Sequence, residues 1–184
     1  MVSDRTDGMK NKADNMEDNL NFIRGVQIGE TEKIVLESID SMFVMPDPDQ
    51  LIRQRFTLHA DGRGWLSDYS YDRAAEYNRS MWKRMKARKL KTDAESAQKL
   101  LKLIRDTMEQ RELGPMLRDA GEWILTIYDS EGRHQEYRSS LNRTKKTIRI
   151  SDAIRACFPD QQFIAFDGDL SGKHEPYEYG EDEQ

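Results

Sequence analysis

Twice in this sequence an alternating run of apolar residues meets a glycine-bearing turn and returns as a second run. In the first, Phe56 and Leu58 alternate with polar neighbours, Asp61-Gly62-Arg63-Gly64 follows, and Trp65 to Tyr71 leads back. In the second, Trp123, Leu125 and Ile127 share one face, Asp129-Ser130-Glu131-Gly132 follows, and His134 to Leu141 leads back. Period-two alternation marks a strand with one buried face. Glycine takes the positive φ that tight turns need without a steric penalty. Each run pair is therefore expected to form an antiparallel hairpin. A lone hairpin is only marginally stable in water, so its apolar face needs further strands or helices over it.

The remaining elements follow from the same reasoning. Ile34, Leu36 and Ile39 begin a strand that is expected to run on toward Phe43 and Val44. Pro46-Asp47-Pro48-Asp49 breaks it, because each proline lacks a donor and restricts the residue before it. Asp72 is expected to cap a helix starting at Arg73. Ala74, Tyr77, Met81 and Met85 recur there at steps of three and four, with Trp82 beside them. Thr92 and Glu95 have capping-box spacing for a second helix. Its stripe is Ala94, Ala97, Leu101, Ile104 and Met108, widened by Leu100. Glu95 and Lys99, Lys102 and Asp106, and Arg105 and Glu109 place opposite charges one turn apart. Gly114-Pro115 supplies the stop. After the second hairpin, Ser151 is expected to cap a short helix that buries Ile154 and Phe158 and stops near Pro159. Phe163 to Phe166 reads as a last strand.

The fold expected is α+β: one antiparallel sheet of about five to six strands built from hairpins, with two to three helices packed on one face. A loosely held N-terminal tail over 1–22, a single domain over 23–166 and an acidic C-terminal tail over 167–184 complete the chain. Composition explains the tails. Hydrophobic residues make up 36% of the 184 and charged ones 34%, against a usual apolar share of roughly 45%, and the deficit lies at both ends.

Cys157 is the single cysteine, which rules out an internal disulfide and a thiolate zinc cluster and fits a reducing compartment. Met1 to Leu20 hold no apolar run, so no secretory leader is expected there. No stretch approaches the roughly 18 apolar residues of a membrane span. A cytoplasmic protein is expected.

The net charge of −5 is unevenly spread. Arg79, Lys83, Arg84, Lys86, Arg88, Lys89 and Lys91 form a run without an intervening acid, while Asp167 to Glu183 is dense in carboxylates. Clustered cations beside an aromatic such as Trp82 suit phosphates and a stacked base, or an acidic surface. On a helix, the same cations would merely complement the C-terminal dipole. The basic run and Trp82 are the partner-binding candidates. The partner expected is a larger protein or ribonucleoprotein, with direct nucleic-acid contact through the run and no membrane.

Asp167, Asp169, Ser171 and Glu178, with Gly172 between, have the spacing of a calcium loop. Calcium is the one cofactor the spacing suggests. An EF-hand loop joins two helices, however, and this one follows a run read as a strand, so an acidic turn is the plainer reading. His59, His134 and His174 share no ligand spacing, and neither a G-x-S-x-G elbow nor a phosphate-binding P-loop occurs. Cys157 beside Phe158 reads as a buried thiol.

Trp123-x-Leu-x-Ile-Tyr-Asp-x-x-Gly, followed by Phe163-x-x-Phe-Asp-Gly, resembles small uncharacterised α+β proteins of gut Firmicutes and their mobile elements. Anti-CRISPR proteins, which inhibit effector nucleases by binding them, are among these. The resemblance covers about the last third of the chain and transfers no site residue. The function expected is a non-catalytic protein-binding module, with an anti-CRISPR-like inhibitor as its concrete version. Two alternatives stand beside it: a small cytoplasmic enzyme whose site is assembled across the fold, and a calcium-responsive structural module.

Overall fold

The alternation read in the sequence becomes a sheet with one face buried by helices and one that no helix among the described residues covers. A computed structural model of the chain describes residues 22–40, 47, 49–72, 81–110 and 120–171. Its elements are β1 (Phe22–Gly25), β2 (Thr31–Ile39), β3 (Arg53–His59), β4 (Arg63–Tyr71), β5 (Trp82–Lys91), α1 (Ala94–Glu109), β6 (Glu122–Asp129), β7 (His134–Ser140) and α2 (Lys145–Cys157). Among the described residues the strands form one sheet in the order β1-β7-β6-β2-β3-β4-β5, every neighbouring pair antiparallel. The expected α+β class holds. The strands from β2 to β7 are all at least 7 residues long, and β1 adds a short edge of 4 residues. β1 starts at Phe22, the residue read as the end of the tail.

Pairing register fixes the two faces. Ile34 and Leu36 lie between Leu58 and Phe56 on one side and Ile127 and Leu125 on the other. Together with Leu66, Leu90, Trp123 and Tyr137 they form the sheet's share of the core. α1 lays Ala97, Leu100, Leu101, Ile104 and Met108 on this face, and α2 adds Ile150 and Ile154. Burying each large side chain contributes about 1.5–3 kcal/mol. Phe56 meets Phe158 and Phe163 edge-on, with centroids 5.7 and 5.3 Å apart.

Four expectations need correction. The helix expected from Arg73 through Met85 does not reach its expected end: residues 73–80 lie outside the described residues, and from Trp82 onward the chain is strand β5. β5 is an edge strand with solvent on most of its surface, so no apolar alternation marks it and chance spacings of three and four mislead.

Second, α1 is capped by Asp93, whose Oδ1 accepts the Ser96 N–H at 2.8 Å. Asp93 is one residue beyond Thr92, and an aspartate does the same work as a threonine. The ion pairs Glu95–Lys99, Lys102–Asp106 and Arg105–Glu109 are all made, at 2.6, 3.0 and 2.8 Å.

Third, α2 begins nearly two turns before Ser151. Thr144 is its N-cap and closes a capping box with Thr147. Ser151 is buried inside the helix, and its Oγ accepts the Phe166 N–H at 3.1 Å.

Fourth, Phe163 to Phe166 is buried but is not a strand. Side chains satisfy its backbone: Ile164 N–H donates to Gln54 Oε1 at 2.7 Å, and Ser38 Oγ donates to the Ala165 carbonyl at 2.6 Å. Buried peptide groups need such partners when no ladder supplies them. Ala165 has φ 49, which bends the chain away from extended geometry. Trp123 packs edge-on against Phe166 at 5.1 Å. Among the described residues no helix is long and apolar enough to cross a membrane.

Candidate binding face

β5 carries Lys83, Arg84, Lys86, Arg88, Lys89 and Lys91 within a single strand. Among the described residues it pairs only with β4, at one edge of the sheet. Alternation divides the cations between the two sides. Lys86 and Arg88 lie opposite Asp68 and Leu66, on the helix side. Arg84, Lys89 and Lys91 lie opposite Tyr69, Trp65 and Arg63, on the uncovered side. Among the described residues no carboxylate pairs with Lys83, Arg84, Lys86, Lys89 or Lys91, and all five are exposed. Arg79 lies outside the described residues.

Edge strands commonly carry lysine to block pairing with other chains, so β5 alone could be self-protection. The cations do not stop at the edge, though. On the same uncovered side β3 contributes Arg53 and Arg55 and β4 contributes Arg63. The positions of β3, β4 and β5 on that side include no acid, whereas β2, β6 and β7 place Glu37, Glu122 and Glu136 there. Arg53 forms an ion pair with Glu37, and Arg55 approaches the same carboxylate at 3.6 Å.

Aromatic rings share this half of the face. Trp65 is 39% exposed and meets His59 edge-on at 5.5 Å. The Arg53 guanidinium lies 5.3 Å from the Tyr69 ring and 5.4 Å from the Trp82 ring. Trp82 is thus half-buried on the open side of the sheet, away from the hydrophobic core. Sequence reasoning singled out Trp82 and the β5 cations but missed Arg53, Arg55, Trp65 and Tyr69. The signal was available in the alternation of β3 and β4, whose polar-side positions include Arg53, Arg55, Trp65 and Tyr69.

Arg88 differs from its neighbours. Its Nη2 contacts Asp68 Oδ2 at 2.7 Å, and both side chains are mostly buried. Asp68 also accepts from Gln54 Nε2 at 2.9 Å, and Gln54 donates to the Gln162 carbonyl at 2.9 Å. Arg88 therefore helps hold the 162–164 segment over the sheet, which is a structural role.

Two of the carboxylates read as a calcium loop are engaged by side chains and backbone of the chain itself. Asp167 is bound by Arg155, and Asp169 Oδ1 accepts the Ser171 N–H at 2.9 Å and the Ser171 hydroxyl at 2.6 Å. Asp169 Oδ2 lies 3.8 Å from Arg143. Asp167 and Asp169 are buried and belong to the folded body, not to a tail. Glu178 and His174 lie outside the described residues. Among the described residues no cluster of three or more His, Cys, Asp or Glu side chains is placed to hold a metal ion.

Burial, with Lys33 next, lowers the His59 pKa. His134 tilts against Tyr128 at 5.6 Å. Cys157 is half-buried rather than buried as expected, and that partial burial raises its thiol pKa, which favours the protonated form at neutral pH. A shallow cleft between α1 and the start of β2 is lined by Arg105, Asp106 and Glu109, whose charges are already paired. No family model matches the chain, and no curated protein matches it.

Proposed function

We propose that this chain is a non-catalytic binding protein that docks through β5, and the open sheet beside it, onto a larger negatively charged macromolecule. The observation that carries the reading is the set of exposed cations on β5 without a carboxylate partner among the described residues. Such a field accelerates encounter and selects acidic surfaces. An inhibitor of a nucleic-acid-processing effector, as the anti-CRISPR resemblance implies, is one concrete form. It would compete for a surface that normally receives, or is made of, phosphate.

Chromatography on immobilised heparin tests this. Wild type is expected to be retained and released by salt, because attraction is screened beyond about 8 Å at physiological ionic strength. A variant with Lys83, Arg84, Lys86 and Lys89 changed to glutamate is expected to pass through, with its circular dichroism and melting temperature preserved. Arg88 is left out, since its loss would strand Asp68. Equal retention of the two proteins would sink the proposal.

A further inference from the structure

Resting on that reading, we infer that the negatively charged partner is single-stranded nucleic acid, lying across the open face of β3, β4 and β5 with a base stacked on Trp65 of β4 and phosphates held by β5 cations.

The register makes the case. Trp65 is directly paired with Lys89, and Tyr69 with Arg84. Side chains in such cross-strand pairs start about 5 Å apart. A base resting on the Trp65 ring therefore has a cation within reach of its own phosphate. Trp65 and Tyr69 are four residues apart on one strand, roughly 13 Å, and Tyr69 is half-buried with the Arg53 guanidinium over its ring, which leaves space for a short run of nucleotides between the indole and that guanidinium. Arg55 lies on β3 beyond this aromatic row and closes the face on the other flank.

Two features separate single strands from other polyanions. An acidic protein surface requires cations but gains little from an exposed indole face such as that of Trp65. A duplex offers phosphates but keeps its base faces stacked inside. Only a single strand satisfies both the indole and the charges. The absence of acids from the β3–β5 positions of this face removes the repulsion that would oppose its backbone. The acids of β2 and β6, Glu37 and Glu122, mark the boundary of the platform.

The test is fluorescence anisotropy with the full chain and end-labelled probes of about twelve nucleotides, within the usual footprint of a small domain. The probes are oligodeoxyuridine, oligouridine, a duplex of equal length and polyglutamate. Wild type is expected to bind both single strands more tightly than the duplex, with affinity falling as salt rises. A preference between the two single strands would identify ribose or deoxyribose as the natural backbone. Trp65→Ala is expected to weaken single-strand binding about tenfold, and Trp65→Phe to keep most of it, while Lys89→Glu weakens every probe. Should polyglutamate or duplex bind as tightly as single strands, with Trp65→Ala silent, the nucleic-acid inference is wrong and the docking proposal survives with a different partner. If wild type binds none of the probes, both fall.

Discussion

Arg155 holds Asp167 through both arms of its guanidinium. Nη2 donates to Oδ1 at 2.7 Å and Nη1 donates to Oδ2 at 2.9 Å. The Asp167 side chain has 0% exposure and that of Arg155 has 15%. The bond joins α2 to the turn that follows Phe166. Removing one partner strands a desolvated charge, so Asp167→Ala is expected to cost about 3–5 kcal/mol. Arg155→Lys should also destabilise, because an ammonium cannot reproduce the two-armed contact. Urea denaturation measures both. With both Asp167 oxygens engaged, millimolar calcium should leave the melting temperature of wild type unchanged, and a rise would support the calcium-loop reading.

Asp129 gives the chain a pH dependence. Its carboxylate accepts the Gly29 N–H at 3.0 Å, the Arg133 N–H at 2.9 Å and Arg133 Nε at 2.7 Å. The Gly29 N–H is the main cause lowering its pKa to about 2; burial opposes it and Arg133 assists. A folded-state pKa below the ordinary one contributes stability that is full above about pH 4 and lost as pH falls toward 2. Asp129→Asn is expected to melt below wild type at neutral pH, with the gap closing between about pH 4 and pH 2. A gap of constant size across that range would show that the charge is not responsible.

The two turn glycines separate strain from crowding. Gly62 and Gly132 have φ 87 and 78. A Cβ on Gly62 would sit 2.2 Å from the Thr92 carbonyl oxygen, while one on Gly132 would meet nothing within 4 Å. Gly132→Ala should therefore cost only the left-handed penalty, about 1–2 kcal/mol. Gly62→Ala should cost more, since the first hairpin turn must move off the junction of β5 and α1. Equal losses on thermal melting would contradict this packing.

α1 offers a test of its buried stripe. Leu101 is 1% exposed and Ile104 fully buried, while the Lys102 side chain is 77% exposed. Leu101→Ala and Ile104→Ala are each expected to cost about 2–5 kcal/mol. Lys102→Ala should cost less than about 0.5 kcal/mol. Similar losses at Leu101 and Lys102 would mean the helix faces the sheet differently.

What the sequence made legible was burial with a period. Trp123, Leu125 and Ile127 alternate cleanly, and Ala97, Leu101, Ile104 and Met108 step at helical spacing, so β6 and α1 could be read. β5 could not, because Leu90 is its one buried residue and an edge strand carries no alternation. The start of α2 was present as Thr144 and Thr147, a capping pair hidden among lysines and threonines. Phe163 to Phe166 has a strand's composition, and its irregular path depends on Gln54, Ser38 and Ser151, which are distant in sequence. The candidate face was half visible. Its charges lie in one run, but Trp65 and Tyr69 join them only through cross-strand register.

The position of β2 in the sheet has a kinetic consequence. β2 pairs with β3, which follows it closely, and with β6, where Leu36 stands opposite Leu125. Every other long-strand pairing is a local hairpin, of the kind that forms in about 1–10 μs. The β2–β6 seam instead closes a loop containing β3, β4, β5 and α1, and loop entropy must be lost before those contacts reward it. The expected slow step is the meeting of two preformed halves along this seam. Leu36→Ala should therefore slow refolding in a stopped-flow chevron, and a change confined to the unfolding limb would place the seam after the barrier.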